Sequence, residues 1–121
     1  MSMFEIQYGP RWKNENGVQI FNVTDTDKTA EISIKANWSG IPDGAYLPSI
    51  VRVKWNITGD DGTELVSYSQ IGNKKIEFNL NKQDVGSYTA ELLIIYEYRY
   101  QGDDLPIVNE VIKETSFKIE T

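Results

Sequence analysis

The chain has 121 residues, 40% of them hydrophobic and 25% charged, with a formal net charge of −6 and neither cysteine nor histidine. That length suffices for one domain with its own core, and the two missing residue types exclude disulfides, thiolate zinc sites, cysteine nucleophiles and histidine bases. The acidic balance, with Lys and Arg scattered, argues against nucleic acid as a partner, and no apolar run approaches membrane-spanning length, so no membrane insertion is expected.

The start, Met1-Ser2-Met3-Phe4-Glu5-Ile6, lacks the basic and apolar segments of an export signal, which predicts a soluble chain made without one. Gly9-Pro10 and Glu15-Asn16-Gly17 then read as turns, so residues 1–17 form an N-terminal arm or edge strand of a single domain spanning 1–121. Val18 to Val23 reads as a short strand. Ala30, Ile32, Ile34 and Ala36 alternate with Glu31, Ser33, Lys35 and Asn37, the period of two that marks a half-buried strand. Gly40, Pro42, Gly44 and Pro48 make residues 39–49 an irregular connection. Alternation resumes in Val51, Val53, Trp55 and Ile57, and Asp60-Asp61-Gly62 turns the chain into a weaker strand from Glu64 to Ser69. Ile76, Phe78 and Leu80 alternate with Glu77 and Asn79. The longest strand runs from Tyr88 to about Tyr98, and after Gln101-Gly102-Asp103-Asp104 and Pro106 a last strand runs from about Glu110 to Glu120, with Phe117 and Ile119 pointing inward. No segment carries a capped apolar stripe of helical period. About seven to nine short strands in this length predict an all-β antiparallel sandwich ahead of a barrel.

Asp84-Val85-Gly86-Ser87-Tyr88-Thr89-Ala90 resembles the Asp-x-Gly-x-Tyr-x-Cys segment that leads into strand F of immunoglobulin domains. The resemblance implies a tyrosine corner at Tyr88, a core tryptophan of strand C at Trp55, Ile34 or Ala36 at the cysteine position of strand B, and Ala90 at that of strand F. Both cysteines are absent, which speaks against an antibody-like extracellular domain and leaves the sandwich intact. More narrowly, Asp27-Lys28-Thr29-Ala30-Glu31-Ile32, Asp61-Gly62-Thr63, Ile76-Glu77-Phe78-Asn79-Leu80, Gly86 to Leu92 and Thr115-Ser116-Phe117-Lys118-Ile119 follow an order similar to the N-terminal domain of phage baseplate upper proteins. That resemblance implies an immunoglobulin-like anchor of the host-recognition apparatus, made in the host cytoplasm and built into the virion. The insert between Tyr98 and Glu110 and the extended N-terminus depart from the family's pattern.

Strand F is apolar on both faces. With Tyr88, Ala90, Leu92, Ile94 and Tyr96 inward, Leu93 and Ile95 face outward, under another segment of the chain or against a partner subunit. Tyr96, Tyr98, Tyr100 and Trp38 are further candidate contacts, since Tyr and Trp combine large area with a polar handle. They suit a protein or a sugar, although core and rim packing is the commoner use of such side chains. The acidic pairs Asp25/Asp27, Asp60/Asp61 and Asp103/Asp104 lie in predicted turns, where Asp is favoured for its own hydrogen bonding, and no twelve-residue calcium loop accompanies them. The Asn-x-Ser/Thr triplets at Asn22, Asn37 and Asn56 read as chance without a secretory route. No catalytic pair, metal site or cofactor is indicated.

Three functions compete. The first is a non-catalytic interaction module of a phage tail or baseplate, whose partners are protein subunits, a second copy of itself included. The second is a carbohydrate-binding or adhesin-type sandwich with a glycan stacked on the aromatics. The third is an acidic inhibitor of a host nucleic-acid enzyme, weakened by Lys and Glu alternating along the strands.

Overall fold

The computed structural model describes residues 3–23, 28–67, 71–72 and 74–121. Asp25, Asp27, Ser69 and the Thr24 of the Asn22 triplet lie outside the described residues.

Two sheets face each other across one core. The smaller contains β1 (Phe4–Tyr8), β4 (Lys28–Ala36) and β8 (Lys75–Leu80) in the order β1-β4-β8, all antiparallel. The larger runs β2 (Trp12–Glu15), β3 (Val18–Asn22), β10 (Ile107–Glu120), β9 (Gly86–Tyr100), β5 (Ala45–Gly59), β6 (Glu64–Val66), and the two-residue β7 (Ile71–Gly72) also pairs β5. The chain is thus an all-β sandwich. One neighbour pair departs from the antiparallel expectation, because β3 runs parallel to β10.

The alternating sequences explain the layers. In β8 the pattern Lys75-Ile76-Glu77-Phe78-Asn79-Leu80 turns every second side chain inward, and Ala30, Ile32 and Ile34 do the same in β4. From the large sheet, Val53, Trp55 and Ile57 meet them beside Tyr88, Ala90, Leu92, Ile94, Phe117 and Ile119. Trp55 is completely buried, among the largest side chains in the core.

Several boundaries differ from the sequence reading, among them β6, which ends at Val66 with Ser67 already outside the strand. β5 starts at Ala45, inside the stretch expected to be irregular, because two bulges absorb its turn-like residues, with register shifts at Tyr46/Ser49 and Ile50/Arg52 and Leu47 at φ 51°. β9 and β10 extend beyond the expected ends to Tyr100 and Ile107, and pair without a register shift from Gly86/Ile119 to Tyr98/Ile107. The arm contains two strands in different sheets. β2 returns as β3 through a two-residue turn at Asn16 (φ 54°) and Gly17 (φ 84°), the positive-φ pair that tight hairpins require.

β5, β9 and β10 run on past the small sheet. The hydrophobic core reaches only to Ile50, Tyr96 and Val111, so Ala45–Ser49, the last residues of β9 and the first of β10 form a three-stranded extension.

Candidate functional site

The motif at the base of β9 works as its residues suggest. Asn81 opens a single 3-10 turn (Lys82–Asp84) by accepting from the Gln83 N–H at 2.8 Å, and the Asp84 carboxylate accepts from the Asn81 N–H at 2.8 Å. Gly86 follows at φ 153°, a backbone region that side chains avoid. The Tyr88 hydroxyl donates to the Asp84 carbonyl at 2.6 Å while its ring stacks on Phe117 at 5.5 Å. Burial, then the nearby Asp84 and Asp61 carboxylates, raise the Tyr88 phenol above its ordinary pKa. Asp84, Gly86 and Tyr88 therefore fix the start of β9, and Trp55 and Ala90 are buried in the core.

The six candidate contact residues do not share one surface. Trp38, in a 3-10 turn (Trp38–Gly40), packs edge-on against Phe4 at 5.5 Å and tilted against Tyr96 at 6.0 Å, while Phe4 and Tyr96 meet at 5.2 Å. These rings close the open end of the sandwich, so Tyr96 and most of Trp38 belong to core packing, the commoner role weighed for them. Tyr98 is buried, with its ring edge-on to Tyr100 at 5.8 Å on the inward side of the extension.

Leu93 and Ile95 do face outward, on the opposite side of the sheet. There the rows across three strands are Arg52, Ile95 and Glu110, then Lys54, Leu93 and Ile112, then Asn56, Glu91 and Glu114. Ile95 is only 8% exposed in this setting and Leu93 is half-buried, so neither offers much surface. More exposed apolar groups lie one strand over, on β10: Val108 at 57% and Ile112 at 63%, with Leu105 in the connection before β10 and Leu47 and Tyr46 on β5 also exposed. Counting back in twos from the inward Phe117 would have turned Ile112 and Val108 outward. The adjacent apolar pair Val111-Ile112 hid that alternation.

The edge next to these residues is open. β3 pairs β10 only over Phe117–Glu120, and among the described residues no strand pairs the other side of residues 107–116. The Val23 N–H donates to the Glu120 carbonyl at 2.7 Å, which shows that Glu120 turns its backbone groups away from β9. Strand alternation then turns the N–H and C=O of Glu110, Ile112 and Glu114 to the same open side.

The acidic turns serve the backbone. The Asp61 carboxylate accepts from the Thr63 N–H at 3.0 Å, and hydrogen bonds from Thr63 hold it below the usual carboxylate range. The Asp60 N–H donates to the Ser87 carbonyl, and the Asp103 N–H to the Tyr100 carbonyl. Among the described residues no three acidic side chains gather as a metal site, and no helix is long and apolar enough to cross a membrane. An open depression of about 610 Å³ lies between Glu5, Lys35, Asn37 and Trp38.

Comparison with known protein families, curated proteins and solved structures finds no match to this chain.

Proposed function

We propose that this chain is a non-catalytic interaction module, an immunoglobulin-like sandwich that docks protein subunits through its extension and the adjoining outer face of β9 and β10. The observation that carries the reading is the exposed pair Val108 and Ile112 beside an unpaired strand edge, a combination that a lone domain gains nothing by presenting. The small-sheet order β1-β4-β8 and, with β2 lying beyond β3, the run β3-β10-β9-β5-β6 of the large sheet are orders that strands A-B-E and A′-G-F-C-C′ of an immunoglobulin-like sandwich would take, and the Tyr88 to Asp84 hydrogen bond supports the same reading. The finer assignment, a tail or baseplate component of a phage virion, draws its support from the sequence resemblance.

A photo-crosslinking residue at Ile112, in cells that produce the chain, tests the docking reading. A covalent adduct with a protein supports it, and the absence of any adduct at Ile112 and at Val108 overturns it.

A glycan-binding reading draws on one observation, Trp38 lining the depression with the polar Glu5, Lys35 and Asn37. It predicts saturable glycan binding that Trp38→Ala abolishes and Ile112→Glu leaves intact, measured by titration calorimetry.

A further inference from the structure

We infer that the partner strand at the open edge of β10 is β10 of a second copy of this chain, paired antiparallel across a two-fold axis at Val111. Such pairing deepens the proposed docking function and rests on it.

The geometry limits the registers sharply. Glu110, Ile112 and Glu114 send their backbone groups to the open side, so these even-numbered residues must form the hydrogen-bonded pairs with an incoming strand. Their side chains also lie together on the outer face, so an even-numbered residue must meet an even-numbered one if both sheets are to keep their faces. Each allowed register of two identical strands is then centred on a single residue.

Length and charge choose among them, since a register centred nearer the start of the strand, on Asn109, meets no like charges but pairs only residues 107–111, against 107–115 for one centred on Val111. Centred on Val111, the pairing sets Glu110 opposite Ile112, Val108 opposite Glu114, and Asn109 opposite Lys113, with no like charges face to face. Centred on Glu110, it sets that carboxylate against its own copy. Centred on Ile112, it sets Glu110 against Glu114, and centred on Lys113 it sets two ammonium groups together. Like charges directly opposite each other destabilise a strand pair. Glu110 forms no salt bridge among the described residues, and the exposed Ile112 and Val108 of the two copies become diagonal neighbours across the new pair.

The strand also has the form that pairing requires. Its register against β9 is unbroken and no proline interrupts it. A partner edge of the same length and pattern is available in every second copy.

The test is the solution mass by light scattering across a concentration series for the wild type, Ile112→Glu and Ile112→Lys. Ile112→Glu places a carboxylate opposite Glu110 of the other copy, twice per dimer, and is expected to weaken the dimer about tenfold or more. Ile112→Lys places an ammonium group opposite the same carboxylate and is expected to keep the mass at twice the 13.8 kDa of one chain. Hydrogen exchange at the Glu110, Ile112 and Glu114 amides should slow as concentration rises, whereas the odd-numbered amides, already bonded to β9, should not change. Both variants becoming monomeric would overturn the register, since an unspecific apolar contact loses Ile112 either way. A wild-type monomer at all concentrations overturns self-pairing. In that case a crosslink from Ile112 to a different protein leaves the docking function standing, and no crosslink removes both.

Discussion

The large sheet has two halves that obey different rules. Where the small sheet covers it, most inward residues of β5, β9 and β10 pack into the shared apolar core, and the outward residues are mostly charged or hydroxylated. Where it runs on as the extension, large apolar groups such as Leu47, Leu105 and Val108 stay in water. The first half spends its hydrophobic residues on folding. The second keeps them exposed, and this is expected of a surface that becomes buried only in an assembly.

The largest effect that separates the halves is on stability. Trp55→Ala, at the centre of the covered half, should lower the unfolding free energy by about 3–5 kcal/mol, read from the urea midpoint. Leu105→Ser, at the tip, should stay within about 0.5 kcal/mol of wild type in the same assay. A large loss from Leu105→Ser would show that the extension is part of the folding core and dissolve the distinction.

A smaller effect belongs to the tyrosine at the base of β9. Tyr88→Phe should cost about 1 kcal/mol, through the lost hydrogen bond to the Asp84 carbonyl. Burial also raises the Tyr8 phenol, against the lowering influence of its hydrogen bond with Thr115. For both tyrosines the folded state holds the proton more tightly than the unfolded chain. Their contribution is therefore complete below the unfolded value, about 10, and is lost as pH rises through the higher folded values. The urea midpoint should fall in strongly alkaline buffer, and Tyr8→Phe with Tyr88→Phe should flatten that fall.

The smallest expected effect has the opposite sign. Asn109 Nδ2 is buried without a hydrogen-bond partner among the described residues, near the limit of the covered half. Asn109→Val removes that unsatisfied donor from a strand position and should stabilise the chain by about 0.5–1 kcal/mol by thermal unfolding.

Particular residues show which of this was legible in the sequence. Regular alternation carried the strands of the covered half, from Ala30 to Ala36 and from Ile76 to Leu80, because one face of each is buried and the other wet. The Asp84-to-Tyr88 segment was legible for a different reason: Asp84, Gly86 and Tyr88 each satisfy a specific backbone demand. The start of β5 was hidden, since Gly44 beside it and Pro48 within it read as turn residues, while the first bulge takes Leu47 to positive φ inside the strand. β2 was hidden by its polar residues, with only Trp12 contributing to the core, through Phe21 and Phe117. The candidate surface was legible in its strand but not in its centre. An outward Ile95 that its neighbours already cover cannot be told from an exposed one by periodicity alone.

The two bulges of β5 have a consequence for how far any assembly can grow. A sheet that adds strands at one border normally offers the opposite border to the next molecule, and fibres follow. Here that far border is bent twice and carries Pro48, which has no N–H to donate, while β10 offers its regular strand once. Joining two molecules at β10 turns both irregular borders outward, and the object closes at two instead of lengthening into a filament.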